Sequence, residues 1–173
     1  AHMTKPITVK EVINSKPIAE PLNILDCCLI SDAGGAYIVT TAERAKDLKS
    51  DPVYLHGIGE YHTHEHLMCA DSLTEFGALE TGRRAYTMAG LGPEDMDFAE
   101  LYDCFSVVPM IEMEELGLCE RGGAGAMVEA GDTRIDGRLP VNTHGGMLSH
   151  AHAGAAGGLF GIIEAVRQLR GQE

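Results

Sequence analysis

LPVNTHGGMLSHAHAGAAGGLFGIIEAVRQLR, residues 139–170, is the stretch on which the fold turns. LPV reads as a brief strand and NTHGG as a turn. A polar, glycine-rich loop carrying His144, His150 and His152 follows. The chain then enters an apolar run in which Leu159, Ile162, Ile163, Val166 and Leu169 recur at i, i+3, i+4, i+7 and i+10. That spacing makes a helix with one buried stripe. A stripe of this kind needs a sheet to cover, yet the sequence stops at RQLRGQE, so the fold is expected to be incomplete at its C-terminal end.

Working outward, the same alternation returns. GGAYIVT and PVYLHGIG are rich in β-formers, and MDFAELYDCF reads as a short strand. Helices are expected at ITVKEVINS, where Thr8 and Glu11 form a capping box, and at AERAKDL, opened by Thr40 and Glu43. Another is expected from Ser72 and Glu75 onward, with Phe76, Leu79, Tyr86 and Ala89 on one face. Ser106 is expected to cap VVPMIEMEELGLC, with Pro109 in its first turn. RGGAGAMVEAGDTRIDGR reads as a long polar excursion or hairpin. Strands alternating with helices define an α/β sheet, and in such sheets chemistry gathers in loops at strand ends.

Composition narrows the function. Apolar residues make up 45% of the 173, enough for a packed core. The formal net charge of −13 repels phosphate backbones, so nucleic acid is not an expected partner. No apolar run approaches membrane-spanning length. The five cysteines, Cys27, Cys28, Cys69, Cys104 and Cys119, form no CxxC pair and read as reduced thiols of a cytoplasmic protein.

Two histidine clusters carry possible chemistry. HTHEH places His62, His64 and His66 at alternating positions, which on a strand share a face and can hold zinc or copper. The competing reading is an exposed polar loop, and no metal is assigned. In the second cluster, a histidine after a glycine turn and just before a helix can serve as general base. Tyr102, Asp103 and Cys104 end a strand. Tyr102 can donate a proton, Asp103 can orient a neighbour or cap the next helix, and Cys104 reads as a buried thiol. Cys27 and Cys28 read as a buried strand pair, since a vicinal disulfide is strained.

LYDCFSVVPMIEMEELGLCERG, LPVNTHGGMLSHAHAGAAGG and IIEAVRQLRG together resemble the C-terminal half of thiolase-superfamily proteins. KPITVKEVINSKPIAEPLNILDCCLISDAGGAYIVTTAERA resembles the end of their first half. The branch most similar is that of the sterol-carrier-protein-x thiolases and lipid-transfer proteins. The resemblance implies a partial thiolase-like layered α/β fold, with residues 1–50 ending the N-terminal half and 51–173 forming an incomplete C-terminal half. It implies a coenzyme A thioester as substrate, with no tightly bound cofactor.

Thiolases carry a catalytic histidine six residues after the Gly-Gly of an Asn-x-x-Gly-Gly turn, and here that count reaches His152. Proline and glycine of the family's loop are replaced by Ala153 and Ala151. Tyr102 stands where classical thiolases have asparagine and the sterol-carrier branch has histidine. The resemblance therefore assigns catalysis to His152 and Tyr102. It assigns the oxyanion and substrate loop to Asp103, Asn142, Gly145, Gly146 and Gly154. None of the five cysteines matches the family's nucleophile or its acid/base cysteine.

The leading expectation is acyl transfer: Claisen condensation or thiolysis of a 3-oxoacyl-CoA. The alternatives are retro-aldol cleavage of a steroid or lipid side-chain CoA thioester, as in aldolases of the lipid-transfer-like branch, and a non-catalytic assembly subunit. The family implies a homodimer or higher oligomer, and the aldolases of this branch pair with an OB-fold protein.

Overall fold

The computed structural model describes residues 1–172. The chain divides into two compact units: Ala1–Tyr54 with Glu100–Val108 and Asn142–Glu173, and Leu55–Ala99 with Pro109–Val141.

In the first unit, α1 (Val9–Ile13) starts on the expected capping box. Thr8 Oγ1 accepts from Glu11 N, and the Glu11 carboxylate accepts from Thr8 N. A small antiparallel hairpin follows, β1 (Pro17–Ala19) on β2 (Leu22–Asn23). Helix α2 (Ala42–Ala45) is capped by Thr41, not Thr40, with Thr41 Oγ1 accepting from Arg44 N. The unit closes with α6 (Gly157–Leu169). The stripe on α6 is only half inside: Ile162 and Leu169 are 45% and 59% exposed. Leu159 and Ile163 pack so closely on Gly35 that a Cβ there would reach within 2.8 Å of the Ile163 side chain. The segment after Gly35 therefore starts against α6.

The second unit holds α3 (Ala78–Ala89), α4 (Val108–Glu115, from its second residue) and α5 (Ala124–Ala130). Helix α3 begins later than the Ser72–Glu75 box predicts. Ser72 Oγ accepts from Thr74 N instead. Glu115, buried near the end of α4, accepts from Phe76 N and Ala78 N at 3.1 Å each. A carboxylate at the head of a helix satisfies orphan donors and opposes the positive end of its dipole. Leu79, expected on the buried face, is 65% exposed. The stretch read as a hairpin contains α5, which ends at Gly131 in the left-handed region. Its AGAMVEA core outweighs the flanking glycines, because Met127 and Ala124 turn into the buried centre.

The sheet is the main difference from expectation. Among the described residues the only ladder joins β1 and β2, with isolated bridges at Cys27–Phe105 and Ala99–Val141. Strand propensity in GGAYIVT and PVYLHGIG is not matched by a neighbouring segment at ladder distance. Ile38 and Val39 are accordingly 91% and 79% exposed. The second of these stretches still packs as a strand would. Gly57 and Gly59, two apart and so on one face, lie directly against α3. A Cβ on either would collide with the Ala85 or Thr81 carbonyl.

Candidate active site

The loop ahead of α6 is shaped by backbone conformations that few residues adopt. Asn142 (φ 53°), Gly145 (φ 103°) and Gly146 (φ 60°) all lie in the left-handed region. Asn142 Oδ1 accepts from Leu101 N at 2.7 Å, and Gly145 N donates back to Asn142 O at 2.8 Å. The chain then winds through a π-helical turn, Gly146–His150. Asp103, 4% exposed, holds the start of that turn: its carboxylate accepts from Met147 N at 2.6 Å and Leu148 N at 3.4 Å. Only a glycine fits at 146, because a Cβ would strike the Asp103 carboxylate. Asp103 thus orients the loop, and it does not cap α4. Ser106 stands two residues ahead of α4, not at its cap position, and its hydroxyl donates to Asp26 at 2.8 Å.

This turn delivers His152. Its backbone is tied on both sides to Ser31: Ser31 N donates to His152 O at 3.0 Å, and His152 N to Ser31 Oγ at 3.4 Å. The ring meets a partner at each nitrogen. Tyr102 Oη lies 3.1 Å from Nε2, and Cys28 Sγ lies 3.3 Å from Nδ1. Gly157, the first residue of α6, leaves room for the imidazole: a Cβ there would come within 3.0 Å of Cδ2. Cys28 reaches the ring because residues 26–28 run antiparallel to 104–106, with Cys28 N on Cys104 O and Ser106 N on Asp26 O, both at 2.9 Å.

Burial pushes the Cys28 thiol up, and neighbouring Cys27 and Asp103 add to this. Burial, then the nearby Cys104, likewise pushes the Tyr102 phenol up. Both groups therefore keep their protons near neutral pH. Tyr102 as a residue remains 43% exposed.

The other histidines stand elsewhere. His144 Nδ1 lies 2.7 Å from Glu100 Oε2 but is not aligned for a hydrogen bond. Beside it, Thr143 Oγ1 sits 2.8 Å from Glu100 Oε1 and 2.7 Å from Glu164 Oε1. The His150 ring packs between His144 and Phe160, at 5.1 and 5.4 Å. Burial, then His144, lowers the His150 pKa, with the amino terminus and His2 adding to the effect. His62, His64 and His66 contact Glu60, Thr63 and Glu65, their own chain neighbours. Among the described residues no group of three or more metal-ligating side chains converges. Gly154 (φ 55°) is exposed, with open space where a side chain would be.

Two residues of this region escape sequence reasoning. Cys28 lies 124 positions from His152, and its one signal is the Cys-Cys doublet, of which a strand must aim one member each way. Glu164 is 5% exposed although it interrupts an apolar helix. Its signal is the face Gly157, Gly161, Glu164, Gln168, at i, i+4, i+7 and i+11. A Cβ on Gly161 would come within 3.2 Å of the Glu100 side chain, and Gln168 donates to Glu164 at 3.0 Å.

A protonated phenol on an imidazole, in a glycine loop at the head of a helix, brings together groups of the kind that acid–base chemistry uses. The chain belongs to the thiolase family: residues 59–173 match its "Thiolase C-terminal domain-like" model. It is 42% identical to a Mycobacterium tuberculosis 17-hydroxy-3-oxo-4-pregnene-20-carboxyl-CoA lyase, over 96% of this chain and 44% of that protein. An acetyl-CoA acetyltransferase of Methanothermobacter thermautotrophicus is 38% identical, over 99% of this chain and 45% of its own length. Among solved structures, the Ltp2-ChsH2(DUF35) aldolase superposes with a TM-score of 0.86 at 37% identity, covering 97% of this chain and 44% of its own. The fold is therefore a partial thiolase-like one, and the chain spans less than half the length of these relatives. Among the described residues no helix is long and apolar enough to cross a membrane.

Proposed function

We propose that this chain supplies the acid–base half of a thiolase-like enzyme that cleaves a carbon–carbon bond beside a coenzyme A thioester, by retro-aldol chemistry. The observation that carries the reading is the Tyr102–His152 contact, 3.1 Å between Oη and Nε2. In a 3-hydroxyacyl thioester, the pair takes the hydroxyl proton. The bond between C2 and C3 breaks, C3 leaves as a ketone, and C2 becomes a thioester enolate. The proton then returns to C2. A positioned pair of this kind contributes roughly 10²–10⁴-fold in rate. The name of the mycobacterial relative, which holds a 17-hydroxyl and a CoA thioester, supports a steroid or related lipid side chain as the substrate.

Asp103, Asn142, Gly145 and Gly146 act in this reading by shaping the loop, and Gly154 leaves its rim open to the thioester. The coenzyme is part of the substrate, and no tightly bound cofactor is invoked. The two-component name of the structural neighbour supports a partner protein, while the OB-fold of that partner and a second copy of the chain follow from the family resemblance. Residues 1–50 are taken as the end of a first thiolase-like half and 51–173 as part of the second. The five cysteines are free thiols, in keeping with a cytoplasmic setting.

The second reading is acyl transfer, favoured by the likeness to an acetyl-CoA acetyltransferase. There His152 activates a cysteine nucleophile elsewhere in the enzyme. Product analysis with the full-length protein separates the two. Retro-aldol cleavage turns a 3-hydroxyacyl-CoA into a ketone and a shortened acyl-CoA without free CoA. Thiolysis needs a 3-oxoacyl-CoA and free CoA. Turnover of the second substrate alone would overturn the aldol reading.

A further inference from the structure

His152 carries a feature that neither reading uses: a sulfur on its second nitrogen. A neutral imidazole has one N–H and one lone pair. With a partner at each nitrogen, one partner must donate to the ring and the other must accept from it. The two partners differ greatly as donors. A phenol is a strong O–H donor, whereas a thiol is a weak donor and a weak acceptor. The stronger donor takes the lone pair.

We propose that Cys28 is a positioning residue that fixes the tautomer of His152. Its sulfur accepts from Nδ1–H, leaving Nε2 bare for the Tyr102 hydroxyl. Three observations agree. The sulfur lies 3.3 Å from Nδ1, and the phenol oxygen 3.1 Å from Nε2. Burial keeps both thiol and phenol protonated, so neither ring nitrogen faces an anion in these partners. The backbone of His152 is also fixed by its two bonds to Ser31, which sets where the ring starts from.

The consequence falls on Tyr102. In this tautomer its hydroxyl donates to His152 Nε2, with the Cys104 side chain as a second neighbour of the phenol. The phenol oxygen is then the atom that meets the substrate, and His152 is the base that draws the phenolic proton away. In the opposite tautomer Nε2–H would donate to the phenol oxygen, and the pair would meet substrate as a donor. Cys28, acting together with the Tyr102 hydroxyl, thereby selects between a pair poised to take a proton and one poised to give it. This deepens the acid–base reading above, and its test uses no substrate, so either can fail while the other stands.

The test is two-bond 1H–15N correlation of the histidine-labelled chain at about pH 8.5, well above an ordinary histidine pKa. The His152 signal is assigned by its loss in His152→Gln. The wild type is expected to show a protonated Nδ1 and a bare Nε2. Cys28→Ser, whose oxygen can accept from Nδ1–H, is expected to keep that pattern. Cys28→Ala is expected to lose it, with Nε2–H gaining population. The His144 and His150 signals report that each variant is folded, and Cys28→Val refills the volume if alanine destabilises the chain. A wild-type His152 protonated at Nε2 would overturn the proposal, as would an unchanged tautomer in both the alanine and the valine variant.

Discussion

Around α3, α4 and α5 the buried side chains are Met113, Leu118, Ala124, Met127 and Leu139, with Glu115 as the lone buried charge. In the unit that carries His152 the buried apolar residues shrink to Ala45, Met147 and Ala151, while Asp103 and Glu164 are both buried. One unit is filled by packing and the other is pinned by directional bonds. Packing tolerates exchange of similar volumes. A carboxylate that accepts two backbone N–H groups fixes a loop in one conformation, at the cost of leaving donors stranded if it is removed. A site that must hold an imidazole between a thiol and a phenol needs the second kind of specification.

That contrast predicts a ranking of mutational effects. Asp103→Ala strands Met147 N and Leu148 N and should cost about 4 kcal/mol, since each bond to a charged group is worth about 1.5–3 kcal/mol. Activity should fall with it, and urea unfolding checks the stability. Met113→Ala, at a residue 2% exposed, should cost about 3 kcal/mol by leaving a cavity. Activity per folded molecule should survive, because Met113 belongs to the unit that does not carry the His152 loop. A reversed pattern, with Met113→Ala silencing the enzyme and Asp103→Ala merely unfolding it, would break the comparison.

Smaller effects should appear as pH dependence, and from the site unit. Burial raises the Glu164 pKa, but hydrogen bonds from Gln168 and Thr143 and nearby His144 outweigh it and leave it below the usual 4.5. Its contribution is therefore present above pH 4.5 and is lost as pH falls through the lowered folded value. His150 is depressed below 6.5, so its neutral form favours folding. That contribution is complete above pH 6.5 and declines as pH drops below it. Glu164→Gln should cost roughly 1 kcal/mol at pH 7 and flatten the lower step. His150→Phe should flatten the upper one. Thermal melts from pH 7 to pH 3 read both.

Much of this was legible in the residues. The resemblance to thiolases supplies the Asn-x-x-Gly-Gly turn, the count to His152 and the YDCF positions Tyr102 and Asp103, and it can do so because these are short-range motifs. The Thr8–Glu11 box marks the start of α1 for the same reason. Long-range partners were not legible. Glu115 heads α3 from 37 residues away, so the box at Ser72 and Glu75 was a local signal overridden by a distant acceptor. Cys28 meets His152 only after two segments align. The strand propensity of Tyr37–Val39 is real, but a ladder needs a second strand alongside.

The central claim is that Tyr102 and His152 act as one acid–base unit. Its most direct test is the rate of 3-hydroxyacyl-CoA cleavage by the full-length enzyme carrying Tyr102→Phe, His152→Ala, or both. Residues that act as a unit lose their effect together. Each single change should lower kcat by roughly 10²–10³-fold, and the double variant should lose little more than either. Losses that multiply in the double variant, or a Tyr102→Phe enzyme that cleaves at the wild-type rate, would contradict the account.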